Sequence, residues 1–427
     1  MFFYLIYFLF NPLLYIILYF LKFFNKKIRE HQDFAFHSIK KTIHYIDKFN
    51  QNKKKILLFH AASAGEFEQL KPILNNIDKN QFFIIQSFSS PTIFNKERNN
   101  NLFDIACYHP YDVFWQSYYF FSNLKPHAYI ITRHDIWPIH LFITRILNIK
   151  TFYINANLHN NSIWCQWYMK KIAKTIFKNI DYVFVPSQDI FQNAYKIIDS
   201  SKLNIMGDTR FDQIFNRYEK NKKLQLLPQK FHKTKNIIFG SYDKFDETMI
   251  IQSLSTIYKK GDISLKESQI GIILVPHEPV KRNIDEMINK LKKNKFKVQK
   301  FSDLKQKKEP SSIIIVDKIG ILADLYKYSQ LAYVGAGFGR GVHSVIEPAV
   351  YNCVISFGPN IEMLNEAKDL YKNNLAYKIL KTTDMINFIQ LNPMDTKHTK
   401  MKNSLNLYMR KNKNIANLVW GKIVELL

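Results

Sequence analysis

Twice along this chain, short apolar runs alternate with helix-length segments, and that recurrence narrows the folds open to it. The first block has runs at 54–60, 81–88, 127–132, 151–156, 182–187 and 203–208. The second has them at 236–241, 270–276, 312–317, 331–336, 353–359 and 375–380. Continuous apolar runs of this length, with amphipathic stretches between them, read as buried parallel strands with crossover helices. Two such blocks predict an α/β protein of two doubly wound, Rossmann-like domains facing across a cleft. The polar, Lys-rich stretch between them contains Pro228 and reads as a linker over 216–234. The resulting layout is an N-terminal domain over 25–215, a C-terminal domain over 235–405, and a helix over 406–427 that packs back.

In such folds ligands bind beyond the carboxyl ends of the strands, so chemistry is sought in the loops there. The first loop is His60-Ala-Ala-Ser63-Ala-Gly65-Glu66. Its small residues let backbone approach a ligand, and Gly65 permits a tight turn. Glu66 would open the next helix, where it serves either as a general base or only as a complement to the helix dipole. The second loop, Arg133-His134-Asp135-Ile136-Trp137-Pro138, suits either an anionic or sugar substrate or a structural ion pair. The third, Gly207-Asp208-Thr209-Arg210-Phe211-Asp212, places Arg210 to meet a phosphate or carboxylate, or to form an Arg–Asp pair that clamps the domains.

The fourth loop runs Gly335-Ala-Gly337-Phe-Gly339-Arg340-Gly341 and holds four of the chain's twelve glycines. A strand, a glycine loop and a helix in that order fit a phosphate cradle. The spacing is neither the dinucleotide fingerprint nor a Walker A sequence. Glu347, four residues beyond His343, is expected on the same helix face, where a carboxylate suits ribose hydroxyls. Ser241, the Pro276-His277-Glu278-Pro279 segment and Phe357-Gly358-Pro359-Asn360 add polar groups at the same strand ends. No His-Glu-x-x-His, paired-Cys or Asp-x-Asp pattern is present, so neither a metal nor a cofactor is indicated. Cys107, Cys165 and Cys353 are too scattered for a disulfide framework.

Residues 1–21 carry no charged side chain, and Asn11 and Pro12 are their clear interruptions. That length suits a membrane anchor over 1–24, either crossing the bilayer or lying within one leaflet. No basic segment precedes it and no small-residue cleavage site follows, which argues against a secretory signal. Lys22, Lys26, Lys27 and Arg29 then place the rest of the chain on the cytoplasmic side.

The net charge of +26, from 61 basic and 35 acidic residues, invites a nucleic-acid reading. Yet only nine of those basic residues are Arg, and Lys, Asn, Ile, Phe and Tyr are all abundant, as A/T-rich codon usage produces. The informative cations are therefore the arginines at strand-end loops: Arg133, Arg210, Arg282 and Arg340. They point to an anionic ligand at those loops, and no nucleic-acid partner is expected.

Together these segments resemble the Kdo transferases, GT-B glycosyltransferases that add 3-deoxy-D-manno-octulosonic acid (Kdo) to lipid A precursor in lipopolysaccharide biosynthesis. His60–Glu66 resembles that family's H-x-x-S-x-G-E motif, and Gly207–Asp212 its G-N-x-K-F-D. Residues 334–348 resemble its glycine-rich loop with G-G-H-N-x-x-E-P, and Phe357–Asn360 its F-G-P-H/N, in matching order over essentially 54–370. The resemblance implies CMP-Kdo as donor, lipid A precursor as acceptor, inversion at the anomeric carbon and no metal. It implies Glu66 as base, with Ser63, Gly65, Arg133 and Asp135 on the acceptor side. On the donor side it implies Arg210, Ser241, His277, Gly337, Gly339, His343 and Glu347. It also implies an enzyme anchored at the cytoplasmic face of the inner membrane, in contact with its lipids.

Three departures stand out. Asp135 is shorter than the family's Glu in E-T-E-L-W-P. The family's P-R-H-P is here Pro276-His277-Glu278-Pro279, with Arg282 a stand-in for the lost Arg, and Ser344 replaces a common Asn. Two other classes fit less of the sequence: another GT-B enzyme such as a nucleotide-sugar epimerase, and a non-enzymatic basic membrane protein supported by charge alone.

Overall fold

The computed structural model describes residues 2–304, 310–339 and 341–427; Arg340 lies outside them. The chain divides into two units, Met1–Gln213 with Asn414–Leu427, and Ile214–Lys413. Each is a parallel α/β sheet of seven strands, the doubly wound class that the alternation predicts.

The first sheet comprises β1 (Lys55–Ala61), β2 (Phe82–Phe88), β3 (Ile105–Tyr108), β4 (Ala128–Thr132), β5 (Lys150–Ile154), β6 (Tyr182–Val185) and β7 (Leu203–Ile205). Its order is β3-β2-β1-β4-β5-β6-β7, so the winding reverses between β1 and β4. Side chains alternate across it as a pleat demands. Leu57, Phe59 and Ile84 enter one buried cluster with Phe67 and Leu70 of the helix α3 (Ala64–Leu74). Leu58, Ile85 and Tyr129 enter the other. Both faces are covered, which is why these strands read as unbroken apolar runs.

The second sheet comprises β8 (Lys235–Tyr242), β9 (Ile270–Pro276), β10 (Val298–Lys300), β11 (Ile313–Ile315), β12 (Leu331–Val334), β13 (Val354–Phe357) and β14 (Ala376–Lys378). Its order, β10-β11-β9-β8-β12-β13-β14, reverses between β8 and β12. Two strands, β3 and β10, have no counterpart among the expected runs. Both are short edge strands: β3 is an apolar run of only four residues, Ile-Ala-Cys-Tyr, and β10 is Val-Gln-Lys, three residues of which two are polar.

Two boundaries differ from expectation. The stretch 216–234 is no free linker: it begins inside the helix Arg210–Asn221 and includes the helix Lys230–Lys233. Leu227 and Phe231 are buried, and the Tyr328 hydroxyl accepts from the backbone N–H groups of Leu226 and Leu227. Lys220, Lys222, Lys223 and Lys233 are exposed, while Lys230 donates to the Pro310 carbonyl at 3.2 Å. The terminal helix expected over 406–427 is two helices. Thr396–Lys411 belongs to the second unit and Ile415–Leu426 to the first. Ile415, Val419 and Ile423 enter the first unit's core. Asp212 caps that helix, accepting from Asn414 N and Ala416 N at 2.6 Å each.

The N-terminal helix α1 (Phe2–Leu21) is long and apolar enough to cross a membrane. One stripe of it is nonetheless docked on the first unit. Asn179 Nδ2 donates to the Tyr4 hydroxyl at 2.6 Å, and Tyr7 donates to Asp112 Oδ2 at 2.8 Å. Asn11 is buried, donating to the Asp112 carbonyl and accepting from Phe114 N. Leu9, Phe10, Leu13 and Phe20 on its other sides are exposed.

Candidate functional site

Parallel sheets bind ligands where strand order reverses, because the loops on either side of that point diverge. In the first unit these are the loops after β1 and β4, the first and second loops of the sequence reading. They meet directly: the His60 imidazole Nε2 hydrogen-bonds Asp135 Oδ2. Trp137 Nε1 donates to the other Asp135 oxygen at 2.7 Å. Burial raises the Asp135 carboxyl, but His60 and the two hydrogen bonds outweigh it and hold it below its ordinary 3.8.

Glu66 is buried in the first turn of α3. It closes a capping box with Ser63, so the dipole-complementing reading is realised. All three of its hydrogen bonds fall on one oxygen. Oε2 accepts from Ala62 N at 2.8 Å, Ser63 N at 3.0 Å and Ser63 Oγ at 3.3 Å. Oε1 takes none from the described residues. Burial, then the Asp135 charge, raise the Glu66 carboxyl above 4.5, against the opposing His60 and backbone contacts. A fixed carboxylate with one uncommitted oxygen and a raised pKa can accept a proton. Gly65 departs from expectation, since it lies within α3 rather than in a tight turn. A Cβ there would meet nothing within 4 Å, so a ligand can come close to this face of the helix.

Behind His60 runs a buried polar chain. Ser87 Oγ hydrogen-bonds His60 Nδ1 at 3.0 Å and His109 Nδ1 at 3.1 Å. His109 Nε2 reaches His140 Nδ1 at 3.1 Å, and His31 Nε2 donates to the His109 carbonyl at 2.9 Å. Burial drives His109 and His140 below the usual imidazole range and His31 to about 4, so all three stay neutral.

Arg133 has a left-handed backbone, φ 63°, and its Nε donates to His134 Nε2 at 3.2 Å. Arg210 sits in the first unit and grips its neighbour Asp208, through Nε at 2.8 Å and a terminal nitrogen at 2.7 Å. The pair lies within one loop of the first unit, so it is not the domain-clamping pair of the alternative reading. Arg282 is an exposed surface residue paired with Glu286 at 2.9 Å.

The second reversal brings together the loops after β8 and β12. Gly335 lies against the backbone of Ser241 and Tyr242, where a Cβ would come within 2.4 Å of Tyr242 Cα. Gly337 similarly abuts Gly358. These two glycines permit backbone packing, while Gly339 borders a cavity of about 480 Å³ with Asp243, Lys244 and His343. Asn360 ties the loop down, donating to the Gly339 carbonyl at 2.9 Å. Ser241, at φ 54°, hydrogen-bonds His277 Nδ1 at 3.0 Å, and the His277 and His343 rings stack at 4.5 Å. A smaller cavity of about 260 Å³ lies beside that stack, bordered by Ser241, Ser344, Glu347 and Arg217.

His343 and Glu347 do not share a helix face as expected. The helix starts only at Ile346, and His343 precedes it in extended loop. They still border one cavity. Glu347 is raised to about 7 by burial, with Arg217 opposing and Asp324 adding to the rise.

The family profile described as 3-deoxy-D-manno-octulosonic-acid transferase (Kdo transferase) matches residues 37–213, which include both loops of the first reversal. Similar named proteins include the Kdo transferase of Rickettsia typhi, 26% identical over 79% of this chain and 71% of that one. That of Aquifex aeolicus is 25% identical, over 79% of this chain and 85% of its own. The chain is thus similar to Kdo transferases, which are glycosyltransferases, over most of its length. Among solved structures, a UDP-GlcNAc 2-epimerase from Neisseria meningitidis shares the fold at TM-score 0.61 and 14% identity, over 87% of this chain and 100% of that one. A glycosyltransferase from Rickettsia africae does so at 0.56 and 13%, over 87% and 97%.

The sequence reading missed Arg217. Its guanidinium holds Asp324 at 2.8 Å and the Gly320 carbonyl at 2.7 Å while facing Glu347. It is one of the nine arginines, but it lay within the presumed linker. His109, His140 and Asp112 were missed as well, because they follow or contact the unforeseen strand β3.

Proposed function

We propose that this enzyme transfers Kdo from CMP-Kdo to the lipid-linked disaccharide of lipid A precursor, with inversion and without a metal, at the cytoplasmic face of the inner membrane. Glu66 carries the reading. Its Oε2 is fixed by three donors, and Oε1 remains to take the proton from an acceptor hydroxyl. As that hydroxyl attacks the anomeric carbon, the bond to the CMP oxygen breaks and CMP leaves from the opposite face. Asp135 and His60 hold the adjoining loop, and Asp135 keeps Glu66 basic. Ser63 and Gly65 shape the approach of the acceptor, with Arg133 offering it a cation.

In the second unit, the cavity bordered by Ser241, His277, His343 and Glu347 suits the nucleotide. Glu347 takes the ribose hydroxyls, and the Gly337–Gly339 backbone faces the phosphate. Arg210 is spoken for by Asp208 and is assigned a supporting role for its loop. The helix α1 is read as lying within one leaflet: its docked stripe uses Tyr4, Tyr7 and Asn11, and its remaining surface is apolar.

The test is a panel of nucleotide sugars offered to the purified protein with lipid A precursor. Transfer from CMP-Kdo supports the reading, and preference for a UDP-sugar contradicts it.

A further inference from the structure

Beside α1 lies a cavity of about 490 Å³ that the reaction described above does not use. Its volume is that of a small-ligand site. Three helices of the first unit wall it: α1, the helix α2 (Lys26–Phe49) and Phe114–Leu124. The walls are aromatic. Tyr15 meets Trp115 edge to face at 5.5 Å, and Phe36 meets Tyr119 at 5.5 Å. Lys22 stands at 4.3 Å over the Tyr19 ring and makes no ion pair among the described residues; Asp33 is the acidic group on the lining.

We infer that this cavity receives one acyl chain of the lipid acceptor, with Lys22 beside the anionic headgroup. Three observations carry the inference. Aromatic and apolar groups share the lining with the polar Lys22, His31, Gln32, Asp33 and Gln116, so it suits an amphiphile, hydrocarbon against the rings and a headgroup against the polar groups. The cavity adjoins α1, whose undocked surface presents Leu13, Ile16, Ile17 and Phe20 to the surroundings, so a chain can pass from a bilayer into it without crossing water. Finally, His31 on its lining is joined through His109 and Ser87 to His60, and His60 to Asp135 beside Glu66. A lipid seated here borders a hydrogen-bonded chain that ends at Asp135, whose charge acts on the proposed base Glu66. That favours the acceptor's own chain over a bulk phospholipid. The inference rests on the proposed transfer to a lipid acceptor.

The test uses the full-length protein in nanodiscs, with Ala35→Phe and Gln116→Phe as two independent ways to fill the cavity. KM is compared for the acylated acceptor and for the same disaccharide stripped of its acyl chains. Both variants should raise KM about tenfold for the acylated acceptor, with kcat kept, and leave the stripped acceptor unaffected. Unchanged KM for both acceptors overturns the inference, and so does an equal loss on both.

If the wild-type protein transfers sugar to neither acceptor, the functional reading has failed, and the cavity is judged separately by photolabelling. A diazirine-bearing acyl chain on lipid A precursor should tag Tyr15, Trp115 or Tyr119. Tags only elsewhere overturn the inference. So does labelling of these residues by a diazirine phospholipid that excess acceptor does not displace.

Discussion

At the residue scale, the account turns on carboxylates whose surroundings set their basicity. Glu66 caps α3 through Oε2, and the proposed reaction gives it a second, separable job, accepting a proton through Oε1. Gln can keep the first job and not the second. Glu66→Gln should therefore cost under about 1 kcal/mol in thermal unfolding while lowering kcat by about a hundredfold or more. The wild-type acid limb of kcat should lie above pH 4.5, since burial and Asp135 raise this carboxyl. Gly65→Ala should separate stability from activity in the opposite sense. Ala has the better helix propensity and meets no atom, so stability should rise by about 0.5–1 kcal/mol while KM for the acceptor increases.

Glu347 gives a pH prediction with a definite sign. Its folded pKa is about 7 against an ordinary 4.5, so the folded state binds the proton more tightly than the unfolded chain. Stability should fall as pH rises from 4.5 toward about 7 and level off above. CMP affinity should rise over the same approach to neutrality if ionised Glu347 holds the ribose hydroxyls. Calorimetry on Glu347→Gln should show both slopes flattened.

At the scale of elements, the loops at the two sheet reversals matter most, and α1 supplies the test. The polar stripe of α1 is part of the fold and its other surface is not. Asn11→Leu leaves the Phe114 N–H and the Asp112 carbonyl unanswered and should destabilise by about 1–3 kcal/mol. Leu9→Lys should leave thermal unfolding in detergent unchanged and weaken vesicle binding. Equal effects on folding would contradict the division of the helix into a docked and a free face.

The elements were legible in the sequence wherever burial was two-sided. Strands such as β1 and β9 are apolar on both faces, and their runs match their observed limits closely. The edge strands β3 and β10 were hidden because they are only four and three residues long, too short to stand out as runs. The loops of the site were legible because glycine and charge at a strand end are costly as core. Their partners were not. Asp135 with His60, Arg217 with Asp324, and Asn360 with Gly339 are pairings that only the winding of the sheet brings together. The same limit explains Gly335 and Gly337, which the sequence marks as a ligand cradle and the fold uses in part for backbone contact.

At the scale of the whole molecule, the two units differ in chain continuity. The second is one stretch, Ile214–Lys413, and the first needs the terminal helix returned to it. Residues 214–413 expressed alone should fold and bind CMP as the intact enzyme does. The first unit without residues 414–427 loses the buried Ile415, Val419 and Ile423 and the partners of Asp212. At about 1.5–3 kcal/mol for each side chain, that loss is a large share of a domain's stability, and the truncated unit should not fold cooperatively. The bulk charge of +26 has no comparable structural role, and the arginines that matter are paired with named carboxylates: Arg210 with Asp208, and Arg217 with Asp324.

The most direct test of the central claim is incubation of the full-length protein with CMP-Kdo and lipid A precursor, followed by mass measurement of the lipid. The account predicts a product heavier by one or more Kdo residues, and none with Glu66→Gln. An unmodified lipid with the wild-type protein, or full transfer by Glu66→Gln, would contradict it.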